Sequence, residues 1–244
     1  MNQDIQRLLA EKYKDVESDA FFADAKRLVA GEPLAYVIGH VPFLGTTIHL
    51  DSRPLIPRPE TEYWTEQAIA VINASGIAEP HILDLCAGSG AIGIAVAKAV
   101  PTAYVTFAEI DATHLPTIAK NLEANDIPCT RYQVFQSDLF ENITGTFDLV
   151  LSNPPYIDPA VDRAQLSVKE HEPHRALYGG IDGLELIARI IAAAPHYLNE
   201  NGQLWLEHEP EQVEQIQELA SLHNFGVTTL KDQYGVERFS VLKV

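Results

Sequence analysis

The tetrapeptide Asn153-Pro154-Pro155-Tyr156 follows directly on the apolar run Phe147-Asp148-Leu149-Val150-Leu151-Ser152, so it stands at the mouth of a buried strand. A side-chain amide, two rigid imino acids and an aromatic ring in that order make a slot for a planar, neutral NH2 group. The nitrogen of an amide or a nucleobase is a poor nucleophile because its lone pair is delocalised. To react, it must be held in line with an electrophile while acceptors polarise its N–H bonds. The Asn153 side-chain oxygen can accept one N–H and the backbone carbonyl of Pro154 the other. Proline fixes φ at about −65° and adds no competing donor, so both carbonyl directions are set before a substrate arrives. Tyr156 can stack on the planar group. The chemistry that suits these types is transfer of a methyl group to an amide or amino nitrogen. Asn153, Pro154 and Tyr156 are then the candidate catalytic residues, and Asn153, Pro154, Pro155 and Tyr156 the substrate grip. The plainer reading is a proline-rich turn after a strand.

A second motif, Asp84-Leu85-Cys86-Ala87-Gly88-Ser89-Gly90-Ala91-Ile92-Gly93, ends an earlier apolar run. Gly88, Gly90 and Gly93 have the G-x-G-x-x-G spacing of a nucleotide-binding turn, and Glu109 lies where such a fold reads a ribose hydroxyl. The loop alone leaves two ligands open. A nicotinamide or flavin enzyme would hold a pyrophosphate there at a helix N-terminus, whereas S-adenosylmethionine carries no phosphate. Asp84, four residues before Gly88, is expected to set a carboxylate near the ligand, which disfavours an anion and favours a sulfonium and an ammonium. No Tyr-x-x-x-Lys pair follows, as a hydride-transfer enzyme of this kind would need. Glu109 and Asp138 fall after successive strands, where an open α/β sheet reads its ligand. The alternative is a glycine turn with no ligand.

Other chemistry-bearing residues are weaker signals. His171 and His174 with Glu172, and Glu207-His208-Glu209, resemble metal-ligand material, but neither has a complete zinc spacing, so no metal is expected. Glu209, Glu211, Glu214 and Glu218 read as a solvated helix face. Cys86 has no base placed beside it by sequence and reads as a small loop residue.

The elements that must position these motifs are legible as an alternation. Strands are expected at 81–85, 103–107, 132–135, 147–151 and 203–206, with helices near 91–99, 113–125, 183–194 and 210–223. A closing pair at 227–230 and 238–242, turning at Gly235, predicts an antiparallel edge hairpin. Such alternation specifies a doubly wound, mainly parallel sheet. Ahead of it, residues 1 to about 30 read as two helices, the second capped by Ser18 and closed by Gly31. Residues 34–50 read as a hairpin. The three prolines of Pro54-Leu55-Ile56-Pro57-Arg58-Pro59 make a stiff connector before a helix from Glu60 to about Ala74.

Bulk properties narrow the partners. Against 34 acidic residues stand 17 basic ones, a net charge of −17 that repels bare nucleic acid. Two cysteines cannot make a disulfide framework. The polar start lacks signal-peptide order, and no apolar stretch approaches the roughly 20 residues needed to span a bilayer. The expectation is a cytoplasmic protein without membrane or direct nucleic-acid contact.

Together the motifs resemble the peptide chain release factor N5-glutamine methyltransferases, a family with a Rossmann-like, seven-stranded S-adenosylmethionine-dependent fold. The resemblance runs from about Glu32 onward through Pro57-Arg58-Pro59-Glu60-Thr61-Glu62, the glycine loop, Ser137-Asp138-Leu139-Phe140 and Asn153-Pro154-Pro155-Tyr156-Ile157. It continues in Glu172-Pro173-x-x-Ala176-Leu177-x-Gly179-Gly180-x-Asp182-Gly183-Leu184 and Asp232-x-x-Gly235-x-Glu237-Arg238. It implies three parts: a helical segment over 1–31, shorter than the family's, a hairpin and connector over 32–59, and a methyltransferase domain over 60–244. It also implies that Cys86, Ala87, Gly88, Ser89 and Gly90 line S-adenosylmethionine, that Glu109 binds its ribose, and that Asp138 and Leu139 border its adenine. Asn153 would touch cofactor and substrate alike. Cys86 and Ala87 stand where the family often has Gly and Thr, and Glu109 where Asp is commoner. The implied substrate is the glutamine of the Gly-Gly-Gln tip of class I peptide chain release factors. The rivals are a glutamine of a ribosomal protein, adenine-N6 methylation of nucleic acid, and a non-catalytic binding protein.

Overall fold

The computed structural model describes residues 3–161 and 164–244. Helix α1 (Gln3–Tyr13) is followed by α2 (Asp19–Val29), where the Ser18 hydroxyl accepts the Phe21 N–H at 3.2 Å, the cap its position predicts. Their apolar faces meet in a small core of Leu8, Phe21, Val37 and Ile38. The last two belong to α3 (Leu34–Ile38), a short helix where the sequence predicts the start of a hairpin. Pro33 opens it and Gly39 ends it at φ 98°. Burial of Val37 and Ile38 against α1 and α2 overrides the strand preference of β-branched residues. The hairpin is correspondingly shorter, β1 (His40–Phe43) and β2 (Thr46–His49), turning through Leu44 and Gly45 at positive φ.

Proline at the first position of α4 (Pro59–Ala74) costs no helical hydrogen bond. After it come β3 (His81–Leu85), α5 (Ala91–Ala99), β4 (Tyr104–Glu109), α6 (Leu115–Ala124), β5 (Tyr132–Gln136) and β6 (Phe147–Ser152). Then follow α7 (Leu166–His171), α8 (Glu185–Ala193), β7 (Leu198–Glu207), α9 (Val213–Leu222), β8 (Gly226–Lys231) and β9 (Glu237–Lys243). The strands form the expected seven-stranded sheet, in the order β5-β4-β3-β6-β7-β9-β8. The first five are parallel, and β9 is antiparallel to both its neighbours. The closing hairpin is at the edge as its turn residues predict, with β9 on the inside and β8 outermost.

Helices cover both faces. Trp64 and Ile72 of α4, Ile94 of α5 and Ile118 of α6 fill one core; Ile187 and Ile190 of α8 and Ile216 of α9 fill the other. Strand order reverses at β3, with β4 and β5 to one side and β6 and β7 to the other. In an open sheet the crevice at that reversal, beyond the strands' carboxyl ends, is where a ligand is held. Asn121 of α6 and Asn125, the residue that caps its C-terminus, bind the hairpin as a neighbouring strand would, exchanging amide hydrogen bonds with the backbone of His49 and Thr47 at 2.7–3.1 Å. Asn121 also donates to Ser89 O at 3.0 Å, so hairpin and glycine loop share one anchor. Among the described residues no helix is long and apolar enough to cross a membrane.

Candidate active site

The glycine loop leaves β3 through Cys86, Gly88 and Gly90, all at positive φ. Two carboxylates shape it from opposite sides. Asp84 Oδ2 accepts the Gly93 N–H at 2.8 Å, and a Cβ at position 93 would press on the Phe107 ring, so Gly93 lets α5 lie close on the sheet. Glu109, at the end of β4, accepts the Gly88 N–H at 2.7 Å and the Asp111 N–H at 2.8 Å. The expectation that Asp84 faces a ligand is corrected here. Its side chain is fully buried beneath α5, one oxygen has no hydrogen-bond partner, and burial raises its pKa to about 8. Whatever negative charge the crevice presents comes instead from Glu109, Asp111 and Asp138.

A cavity of about 290 Å³ opens over the ends of these strands. Of the residues singled out from sequence, Cys86, Gly88, Glu109, Asp138, Leu139, Asn153 and Pro155 line it. Ala87, Ser89 and Gly90 do not; they build the turn behind the wall, Gly90 N–H bonding back to Ala87 O at 2.7 Å. Pro154 is buried and lines neither this cavity nor its neighbour. Burial, reinforced by Glu109, pushes the Cys86 thiol up to about 12, so it stays protonated and is no nucleophile. Arg189 is a residue that sequence reasoning missed: it lines the cavity and pairs with Asp138 at 2.9 Å. His171 and His174 face backbone carbonyls of Ser167 and Lys169, and among the described residues no metal-binding cluster forms.

The tetrapeptide after β6 divides this cavity from a second, of about 360 Å³, lined by Tyr156, Ile157, Asp158, Val161 and Gln212 among others. Tyr156 therefore stands on the far side of the tetrapeptide from Asn153 and Pro155. Its hydroxyl donates to Glu207 Oε1 at 2.9 Å. Glu207 is 1% exposed and takes two further donors on Oε2, the Thr61 hydroxyl at 2.6 Å and the Trp64 indole N–H at 2.7 Å. Thr61 in turn accepts the Asn153 Nδ2–H at 3.1 Å. No described donor reaches the Asn153 side-chain oxygen. Burial raises the Glu207 pKa while its three donors lower it, and burial followed by Glu207 itself raises that of Tyr156.

The remaining motifs buttress the tetrapeptide. A Cβ at Gly179 would strike Pro155 O, and one at Gly183, which has φ +68°, would strike Tyr156 O. Gln212 Nε2 holds Tyr156 O at 2.9 Å. Glu172 accepts the Ile56 N–H at 3.0 Å and pairs with Arg58 at 2.6 Å, clamping the proline connector that delivers Thr61. In the sequence Thr61 stands out only as part of a motif, and Glu207 only as possible metal-ligand material. Glu209, read as solvated, pairs with Arg238 at 3.1 Å.

Residues 68–169 match the methyltransferase small domain family. The release factor glutamine methyltransferase of Rhodopirellula baltica is 38% identical over 231 residues, covering 90% of this chain and 76% of that one. The protein of the same name from Streptococcus pneumoniae is 35% identical over 242 residues, 97% of this chain and 82% of its own. The chain belongs to the release factor glutamine methyltransferase family. The fold of this family member is shared by the T. thermophilus 16S rRNA N2 G1207 methyltransferase, solved with AdoMet and guanosine. That structure superposes with a TM-score of 0.57 at 23% identity, covering 84% of this chain and 49% of its own.

Proposed function

We propose that this enzyme transfers a methyl group from S-adenosylmethionine to the side-chain nitrogen, N5, of a glutamine in class I peptide chain release factors, the glutamine of their Gly-Gly-Gln tip. The observation that carries the reading is Asn153. Its NH2 is committed to Thr61, so its oxygen is left as an acceptor on the wall of a cavity at the sheet's reversal point.

The residues present fit the cofactor. Glu109 and Asp138 suit a ligand bearing a sulfonium and an ammonium, and Leu139, Ala108 and Ile110 give the cavity apolar wall for a purine. Each Glu109 oxygen already accepts one backbone N–H, which fixes the carboxylate and leaves lone pairs for two ribose hydroxyls. Gly88 brings backbone to the ligand without a side chain, Cys86 closes the wall, and Ala87, Ser89 and Gly90 hold the turn's shape. Bound there, S-adenosylmethionine supplies an electrophilic methyl group.

The chain's own part is to present the nitrogen. The Asn153 oxygen accepts one N–H of the target amide and the Pro154 carbonyl accepts the other, which aims the nitrogen and polarises it. A glutamate side chain offers neither N–H and would set its charge against two carbonyl oxygens, so the slot selects amide over acid. Pro155 stiffens the grip. Tyr156 walls the second cavity, on the far side of the tetrapeptide from Asn153, and would meet residues that flank the target glutamine rather than its amide. A net charge of −17 opposes a substrate held through phosphates and suits a protein partner in the cytoplasm.

The test is to supply labelled S-adenosylmethionine with release factor, its glutamine-to-alanine variant and duplex DNA in parallel. Mass spectrometry should find one added methyl on the glutamine and none elsewhere. Label on DNA, or equal label on the alanine variant, would overturn the assignment.

A further inference from the structure

We propose that Thr61 and Glu207 form a positioning relay that dictates which end of the Asn153 amide faces the substrate. The two ends of an asparagine amide have nearly the same shape and opposite polarity. If Asn153 turned over, it would present an NH2 to the target NH2, and the slot would repel the group it is meant to hold. Nothing in Asn153 itself prevents this.

The relay settles it by committing protons in sequence. The Trp64 indole can only donate, and it donates to Glu207 Oε2. That oxygen is therefore an acceptor, and the Thr61 hydroxyl gives it its single proton at 2.6 Å. Thr61 then has only lone pairs to offer. At 3.1 Å from Thr61, the nitrogen end of Asn153 is the end that can bond, so the oxygen must face the cavity. The remaining Glu207 oxygen takes the Tyr156 hydroxyl at 2.9 Å, so one carboxylate fixes residues at both ends of the tetrapeptide. Three donors converge on a side chain in a residue 1% exposed and set both of its oxygens to accept. Thr61 and Glu207 lie 146 residues apart, at the start of α4 and the end of β7, both rigid elements. Neither residue lines the cofactor cavity, so both act through Asn153.

This inference rests on the proposed amide chemistry, and its test has one arm that does not. In the first arm, single-turnover rate and cofactor affinity are measured for Thr61→Ser, Thr61→Val and Glu207→Gln. Thr61→Val keeps the shape and removes the hydroxyl; Glu207→Gln keeps an oxygen for Trp64 and Thr61 and turns its NH2 to the Tyr156 hydroxyl, which can accept, so it leaves the relay standing. Thr61→Val should lose about 10- to 100-fold in rate, with cofactor affinity within about threefold, while Thr61→Ser and Glu207→Gln stay within about threefold of wild type. In an Asn153→Ala background Thr61→Val should cost nothing further. Equal losses in Ser and Val, or full additivity with Asn153→Ala, would overturn the relay. The second arm needs no substrate. The side-chain NH2 of Asn153, assigned in 15N-labelled protein by its loss in Asn153→Ala, should lose hydrogen-exchange protection in Thr61→Val and keep it in Glu207→Gln. Unchanged protection in Thr61→Val defeats the relay. Failure of wild type to methylate release factor defeats the function alone and leaves this arm to decide.

Discussion

Asp84 and Glu207 are buried carboxylates at or near the carboxyl ends of two parallel strands, and their surroundings differ in one respect. Asp84 meets a single donor, the Gly93 N–H, and keeps an oxygen without a partner. Glu207 meets three donors and uses both oxygens. The first can discard its charge at little cost, and burial raises its pKa to about 8. The second has a fixed direction of donation that it passes on through Thr61. A buried acid with one partner shapes a turn; one with three partners can orient another side chain. The proposed function assigns the glycine-loop region to holding the ligand and the tetrapeptide region to presenting the reacting group, and the two acids differ in the way that division requires.

The largest effect that would sharpen this division is on rate. Asn153→Ala removes the acceptor at the slot and should lower turnover by about two orders of magnitude or more. Cofactor affinity, measured by calorimetry, should change far less, because Glu109 and Gly88 are untouched. Near-normal single-turnover rate in this variant would place the chemistry elsewhere. On the loop side the order should invert. Glu109→Ala loses a charge-assisted hydrogen bond to a ribose hydroxyl, worth roughly 1.5–3 kcal/mol, so affinity should fall about ten- to a hundred-fold. Its rate at saturating cofactor should stay close to wild type. Wild-type affinity would remove Glu109 from the cofactor site.

The two acids can also be compared by stability. Glu207→Ala strands the Thr61 hydroxyl, the Trp64 indole N–H and the Tyr156 hydroxyl, and should cost about 3 kcal/mol in denaturant unfolding. Asp84→Asn keeps an acceptor for Gly93 and replaces an oxygen that already lacks a partner, so it should cost about 1 kcal/mol. Equal losses would dissolve the distinction between the two regions.

How much of this was legible in the sequence depends on the distance over which each feature is decided. The tetrapeptide, the glycine loop, Ser18 as a cap and the helix over 91–99 are local, and each stands where its residues placed it. Glu207 reads as possible metal-ligand material because Thr61 and Trp64, the residues that explain it, are 146 and 143 positions away. Asp84 reads as facing a ligand for a related reason: which side of the sheet is covered depends on what packs there, here α5 through Gly93. The helix over Leu34–Ile38 reads as strand until α1 and α2 supply a surface for Val37 and Ile38. Ala87, Ser89 and Gly90 were expected to line the ligand, yet a tight turn exposes only some of its residues to one side.

The smallest expected effect is a slope with pH, and it isolates Asp84. Its folded pKa of about 8 lies above its value in the unfolded chain, near 4, so between those values the folded state binds the extra proton. Stability therefore falls as pH rises through that window. Buried His208 acts in the opposite sense. It donates Nδ1–H to Glu209 O and accepts from the Ser240 hydroxyl, and burial holds its pKa down at about 4 against an ordinary 6.5. In the range between those two values the unfolded chain binds the proton, so stability rises with pH there, and the two trends offset. Above about 6.5 the upward trend from His208 is over and the downward one is left, and the raised pKa of Glu207 acts in that same downward sense where it titrates. The difference between wild type and Asp84→Asn, followed by denaturant unfolding from about pH 6.5 to about pH 8, cancels Glu207 and His208. Wild type should lose stability relative to the variant across that interval. Parallel curves would mean that Asp84 keeps its charge when buried, and that a single donor does for it what three do for Glu207.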